Sequence, residues 1–385
     1  MKNFYFTHPV SVYFGAGVVN ENLPKILSEY GKKVLLCYGK GSVKRTGVLD
    51  EIKEILISQG KIVEEFSGIM PNPTYRKVQD GARLAKEFGA DLVIALGGGS
   101  VIDCCKIICA QAVNDFDIWD GYFKEKKTPE NCLPLISIVT VFGTGAEMNS
   151  GAVITNEEQK RKACIYGAFS DYSFLELNYF DTVSPLQTMS GSFDTLSHCL
   201  ESYFAKPDDD NLTDDINLAI MRKVVRSMIN LADNPNDRSS KSEIAWASAL
   251  AENGLLKIGK ESAFQAHQIE HQLGAYTDCN HGLGLAVISP AMYKKVYEGG
   301  VSKFKRFAIE VFGVENSGED RDIAYRGIVA LENFIKRVGL PTTLREIGVK
   351  DKACFKAIAD STNIKTGCFT PLTARDVLEI LNEVY

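Results

Sequence analysis

No apolar run in this sequence approaches the roughly 20 residues that cross a bilayer. The N-terminus, Met1-Lys2-Asn3-Phe4-Tyr5-Phe6, lacks the apolar stretch and small-residue cleavage site of a signal peptide. The expectation is a cytoplasmic chain with no membrane partner. Basic charge is also in short supply. The net charge is −6, and the run Lys124, Lys126, Lys127 is broken by Glu125, which reads as a solvated loop. Without a basic face the chain is not expected to bind nucleic acid. Ten cysteines are present, but no Cys-x-x-Cys pair suggests a zinc knuckle, and Cys104, Cys105 and Cys109 read as packed thiols in an apolar helix. There is no repeat of 20–50 residues and no low-complexity segment. Histidine is scarce: only five occur in 385 residues, and four of them fall between positions 198 and 281.

At this length two domains are the better expectation, and the pattern of residues divides the chain accordingly. Phe4 to Phe14 reads as an extended pair broken around Pro9. Lys33–Tyr38, Leu92–Leu96 and Leu135–Val141 are short apolar strands and Lys61–Phe66 is a further strand candidate, with amphipathic helices at Val48–Gln59 and Tyr75–Phe88 between them. That alternation means βαβ units and a parallel sheet. After Pro185 helical periodicity takes over, from Met189–Ala205 through Ala374–Val384, with few strand runs. The expected organisation is an α/β domain over residues 1–182 and an all-helical domain over residues 183–385.

Within the helical half, Asp194 and His198 are spaced i, i+4 and so project from one helix face. His267 and His271 repeat that spacing, and His281 follows in the loop Cys279-Asn280-His281-Gly282. Two helices presenting an oxygen and several imidazole nitrogens to one point suit zinc or ferrous iron better than magnesium or calcium. A structural site would take four protein ligands, whereas a catalytic one keeps a position open. Spacing alone does not rank the histidines. His8, beside Pro9, has no such company and reads as structural.

In the α/β half, the strand Leu92–Leu96 runs into Gly97-Gly98-Gly99-Ser100, and Val101-Ile102-Asp103 opens a helix. Strand, glycine turn and helix N-terminus together form an anion site, because free N–H groups and the helix dipole favour phosphate. Gly15-Ala16-Gly17 lacks the third glycine of a dinucleotide fingerprint and reads as a plain turn. Thr140-Val141-Phe142-Gly143-Thr144-Gly145-Ala146-Glu147-Met148-Asn149 offers hydroxyl and amide groups to a cofactor, or a capped turn.

The ordered series GGGSxxD, TxxxTGxExN, DxxxHxxE and HxxxH followed by HG resembles the iron-containing alcohol dehydrogenase family, and within it the butanol dehydrogenase-like branch. The match spans nearly the whole chain, including Tyr38-Gly39-Lys40-Gly41-Ser42 and Gly339-Leu340-Pro341. The resemblance implies an N-terminal dinucleotide-binding domain, a helical metal-binding domain and an active site in the cleft between them. It implies Asp194, His198, His267 and His281 as metal ligands, with His271 catalytic beside nicotinamide and substrate. Cofactor contacts carry over to Gly39, Ser42, Gly98, Gly99, Ser100, Asp103, Thr140, Thr144, Asn149 and Lys162, with Lys160 competing for the last place. Ala146 replaces the serine usual in Thr-Gly-Ser-Glu, and Phe142 stands where a smaller residue is common, which suggests a narrower substrate pocket.

The activity so implied is hydride transfer between a nicotinamide and a small primary alcohol or aldehyde such as butanol or butanal. Fe(II) or Zn(II) acts as Lewis acid on the oxygen, and His271 relays the proton. Either NADP(H) or NAD(H) is the cofactor. The absence of a carboxylate after Tyr38, where one would bind the ribose diol and repel a 2′-phosphate, predicts that NADPH is accepted. The alternatives are a glycerol dehydrogenase-like enzyme of the same fold and, in another class, a His/Asp metallohydrolase. A homodimer is expected, because the N-terminal strands need an edge partner.

Overall fold

The apolar runs Val34–Tyr38, Leu92–Leu96 and Leu135–Val139 carry no charged side chain to offer water. In a computed structural model of the chain, which describes residues 2–364 and 369–385, they lie inside a parallel sheet. Its strands are β1 (Ser11–Gly15), β2 (Lys33–Gly39), β3 (Ile62–Ile69), β4 (Leu92–Gly97), β5 (Leu135–Val139) and β8 (Tyr172–Glu176), in the order β1-β8-β5-β4-β2-β3. Every neighbouring pair is parallel. Strands β6 (Gly151–Asn156) and β7 (Arg161–Tyr166) form a separate antiparallel hairpin. Helices α1 (Val18–Ile26), α2 (Ser42–Arg45), α3 (Val48–Ser58), α4 (Tyr75–Phe88), α5 (Gly99–Gln111), α6 (Ile118–Asp120) and α7 (Leu177–Phe180) connect the strands. Leu23, Ile26, Ile52 and Leu56 from α1 and α3 cover Leu36, Ile94, Leu96 and Ile138 on one sheet face. Each such side chain contributes about 1.5–3 kcal/mol by leaving water.

The helical region contains α8 (Pro185–Tyr203), α9 (Leu212–Asp233), α10 (Arg238–Glu252), α11 (Gln265–Thr277), α12 (His281–Val296), α13 (Val301–Phe312), α14 (Asp320–Arg337), α15 (Phe355–Ser361) and α16 (Ala374–Glu383). Helix α8 packs against α9, α10 and α12 and is buried continuously from Thr188 to Tyr203. Its composition is unusually polar for such a position. The hydroxyls of Ser192 and Thr195 donate to the carbonyls of Thr188 and Gly191, at 2.7 and 3.1 Å. These bonds satisfy groups that would otherwise be costly to bury.

The chain divides into two compact units, His8–Ser184 and Pro185–Tyr385, the latter joined by the segment ahead of His8. This corrects the assignment of residues 1–182 to one domain. The Lys2 N–H donates to the Gly259 carbonyl at 3.3 Å, and the Lys2 side chain pairs with Glu261. The extended pair read at Phe4–Phe14 is also corrected, since only Ser11–Gly15 is a strand. Strand β8 and helix α15 were not expected. His281, expected in a loop, is the first residue of α12, with Asn280 as its N-cap accepting from the Leu283 N–H at 3.2 Å.

Candidate functional site

Three helices, not two, present the candidate metal-ligating side chains. Helix α8 carries Asp194 and His198 one turn apart, α11 carries His267 and His271, and α12 opens on His281. A Cβ at Gly282 would lie 2.1 Å from the Ser190 carbonyl oxygen, so glycine is required for α12 to start this close to α8. The Ser190 hydroxyl donates to Asn280 Oδ1 at 2.5 Å, which pins the same junction.

Asp194 Oδ1 faces three ring nitrogens: His198 Nδ1 at 3.4 Å, His267 Nε2 at 3.5 Å and His281 Nε2 at 3.6 Å. Asp194, His267 and His281 form a group whose ligand atoms all lie within 4.8 Å of one another. His198 adjoins that group through the shared Asp194 oxygen. These separations are long for hydrogen bonds, and Asp194 Oδ1, His198 Nδ1 and His267 Nε2 are buried without a hydrogen-bond partner. They match the edge of a tetrahedron, since ligands bonded at about 2.1 Å stand about 3.4 Å apart. Orphaned donors aimed at one point from three helices fit a divalent ion of the zinc or iron type.

Behind the nitrogens stand carboxylates. Glu201, two turns after Asp194 on α8, accepts from the Ala266 N–H at 2.7 Å, the His267 N–H at 3.2 Å and His267 Nδ1. Glu270 on α11 accepts from His281 Nδ1. Glu252, at the end of α10, lies 3.8 Å from His198 Nε2 and pairs with Lys257 at 2.8 Å. Burial raises the Asp194 pKa, but the facing His198, His281 and His267 outweigh it and bring it down to about 2. Burial lowers the His267 pKa, and Glu201 and Asp194 reverse this, raising it to about 10. A proton therefore competes with a cation for this ring. Burial dominates at His198 and lowers its pKa despite Glu252 and Asp194. His271 is buried, with its ring centroid 5.6 Å from that of His281 in a stacked pair.

In the α/β unit the glycine turns converge at the carboxyl ends of neighbouring strands. Strand β2 lies between β3 and β4, so the connections leave in opposite directions there, which is where open α/β sheets form ligand crevices. Gly39 ends β2, Gly97 ends β4, and Thr140 donates its N–H to the Gly97 carbonyl at 2.9 Å. Helix α5 starts at Gly99 with Gly98 as N-cap, two residues earlier than expected. A Cβ at Gly99 would lie 2.3 Å from Thr144 Oγ1, so Thr144 sits directly on the turn. Ser42 opens the short α2.

Other candidates are engaged within their unit. Asp103 Oδ2 accepts from the Val153 N–H at 2.9 Å, and Asn149 Oδ1 accepts from Lys106 Nζ at 3.1 Å. Lys106 is fully buried and also reaches Asp103 at 3.4 Å and the Gly151 carbonyl at 2.6 Å. Sequence reasoning passed over Lys106, because it lies in a run otherwise read as apolar. Lys162 is buried on β7 opposite Thr155, and Lys160 precedes β7 at φ 47°. Phe142 is buried, packed edge-on against Phe180 at 5.2 Å between centroids, inside the α/β unit. Glu201, Glu252 and Glu270 were also missed as site residues. The only signals were Glu201 in the DxxxHxxE motif and Glu270 between His267 and His271.

Both parts of the chain match known proteins. The family model for iron-containing alcohol dehydrogenase matches residues 9–176, and the model for the C-terminal part of the Fe-containing alcohol dehydrogenase family matches residues 188–385. The chain is 36% identical to NADH-dependent butanol dehydrogenase A of Clostridium acetobutylicum over 100% of both chains. It is 30% identical to the NADPH-dependent aldehyde reductase YqhD of Escherichia coli, over 91% of this chain and 90% of that one. The crystal structure of NADH-dependent butanol dehydrogenase A from Thermotoga maritima superposes with a TM-score of 0.93 at 33% identity, covering 100% of this chain and 99% of that one. With both halves matched, the chain belongs to the iron-containing alcohol dehydrogenase family.

Proposed function

We propose that this alcohol dehydrogenase/aldehyde reductase interconverts small primary alcohols and aldehydes such as butanol and butanal, holding Fe(II) or Zn(II) on Asp194, His198, His267 and His281. The observation that carries this reading is the Asp194 oxygen facing three imidazole nitrogens at 3.4–3.6 Å in a buried site. When bound, the ion supplies Lewis acidity toward the alcohol or aldehyde oxygen, and the nicotinamide carries the hydride. The N–H groups at the start of α5, with Gly98, Gly99 and Ser100, hold the pyrophosphate. Gly39, Ser42, Thr140 and Thr144 line the cofactor beside them. Asp103, Asn149 and Lys162 support that end through the Lys106 network and the β6–β7 hairpin. His271 carries the proton to or from the substrate oxygen as general acid and base.

NADPH is the preferred cofactor in this reading. No carboxylate follows Tyr38 before Asp50, while Lys40, Lys44 and Arg45 surround the turn. Arg45 Nη1 lies 3.6 Å from where a Gly41 Cβ would be, so the guanidinium folds over the glycine. Glu65 on β3 is taken up by the Tyr38 hydroxyl and Lys53, both at 2.5 Å. A homodimer formed along the exposed edge strand β1 accompanies this proposal; a monomer by light scattering would remove it.

The test is metal analysis of anaerobically purified protein, with butanal reduction assayed using NADPH and NADH before and after chelation. The expected result is about one Fe or Zn per chain, loss of turnover on chelation, and recovery on adding metal back. Turnover that survives complete removal of metal would refute the metal role. A much higher kcat/KM with NADH would refute the NADPH preference alone.

A further inference from the structure

We propose that Glu201 and Glu270, with Glu252 at longer range, are positioning residues that aim the metal-binding nitrogens of His267, His281 and His198. The proposal rests on the metal reading above and adds to it the residues that set ring orientation and proton position.

A neutral imidazole has one N–H and one lone pair. A carboxylate against one nitrogen draws the N–H there and leaves the lone pair on the other. Glu201 takes the Nδ1 side of His267 and Glu270 the Nδ1 side of His281, so each ring turns Nε2 toward Asp194 Oδ1. On His198 the arrangement is reversed: Nε2 lies toward Glu252 and Nδ1 toward Asp194. With the rings neutral, three lone pairs then face the Asp194 oxygen at 3.4–3.6 Å. That arrangement repels itself unless a proton or a metal cation lies within it.

The three contacts also join helices in series. Glu252 links α10 to α8, Glu201 links α8 to α11, and Glu270 links α11 to α12. Glu201 and Glu270 are 6% and 0% exposed, so both carboxylates are withdrawn from bulk water. The geometry ranks them. Glu201 and Glu270 make direct hydrogen bonds, whereas Glu252 stands at 3.8 Å and shares its charge with Lys257.

The experiment measures Zn(II) affinity of the full-length protein by competition with a chromophoric chelator, together with the visible spectrum of the Co(II)-loaded form. Glu270→Ala and Glu201→Ala are expected to weaken Zn(II) binding by about 10–100-fold and to shift the Co(II) bands. Glu270→Gln and Glu201→Gln should recover part of the loss, because an amide oxygen still accepts the Nδ1 proton. Glu252→Gln should have the smallest effect. Glu201 also accepts two backbone N–H groups at the start of α11, so Glu201→Ala is the variant that risks misfolding, and Glu270→Ala decides in that event. Folded Glu270→Ala protein that binds Zn(II) within twofold of wild type, with an unchanged Co(II) spectrum, overturns the proposal while leaving the metal reading intact. Equal losses in Ala and Gln variants overturn it too. Wild-type protein that binds neither ion removes the metal reading and this proposal with it.

Discussion

Gly99→Ala tests the coupling between the glycine turn and the Thr140–Asn149 segment. The added Cβ would stand 2.3 Å from Thr144 Oγ1, 2.6 Å from its Cγ2 and 2.9 Å from its Cβ. Ordinary contact begins near 3.4 Å, so the overlap is about 1 Å. Rotating χ1 does not relieve it, because Thr144 Cβ is itself too close and does not move with χ1. Rotation would also break the bond that Oγ1 accepts from the Ala146 N–H at 3.2 Å. The start of α5 must therefore shift. Overpacking of this kind costs about 1–3 kcal/mol. In a unit of this size each kcal/mol lowers Tm by about 2–4 °C, giving a fall of about 2–12 °C. NADPH affinity should drop about tenfold or more, the equivalent of one hydrogen bond to a charged phosphate. Calorimetry and NADPH fluorescence titration measure the two effects. Gly98→Ala is the control, since its Cβ would meet Val141 only at 3.2 Å and should perturb less. A Gly99→Ala protein with wild-type Tm and wild-type NADPH affinity would refute the reasoning.

His281→Ala should abolish metal content, whereas His271→Ala should retain it and lose turnover with an altered pH profile. Elemental analysis and pH–rate curves separate the two, and unchanged turnover and profile in His271→Ala would end the relay role. Glu147 offers a test through stability. Burial raises its pKa from 4.5 to about 7, despite the opposing charge of Lys106. The folded state thus holds this proton to higher pH than the unfolded chain, and stability declines as pH rises from about 4.5 to about 7. The decline is on the order of 3 kcal/mol. Glu147→Gln should flatten it, as read from urea unfolding at several pH values, and an unchanged slope would contradict the assignment.

The strands Lys33–Gly39 and Leu92–Gly97 were legible because a continuous apolar run of that length is compatible with a doubly covered sheet. Tyr75–Phe88 and Val301–Phe312 were legible to the residue, because their apolar stripes and termini coincide. Strand β8 escaped because Tyr172–Glu176 is short and carries Ser173 and Glu176. The extended pair at Phe4–Phe14 failed for the opposite reason. Its aromatics suggest a strand, but those ahead of His8 belong to the helical unit and are partly exposed. Phe142 packs on Phe180, a partner 38 residues away that no local pattern reveals.

By itself the sequence determined the inventory: an Asp and three histidines on helices with a fourth histidine close after them, a glycine turn between strand and helix, and two regions of different character. Those follow from local periodicity, which depends on residues one turn or one pleat apart. The tertiary structure decided what each group faces. His281 heads a helix because Asn280 caps it and Gly282 lets it meet Ser190, 90 residues back from Asn280. Glu201 reaches His267 across 66 residues, and Asp103 and Asn149 meet on Lys106. Such pairings depend on how helices and strands dock, where one contact fixes the direction of a ring nitrogen, and no spacing along the chain encodes that direction.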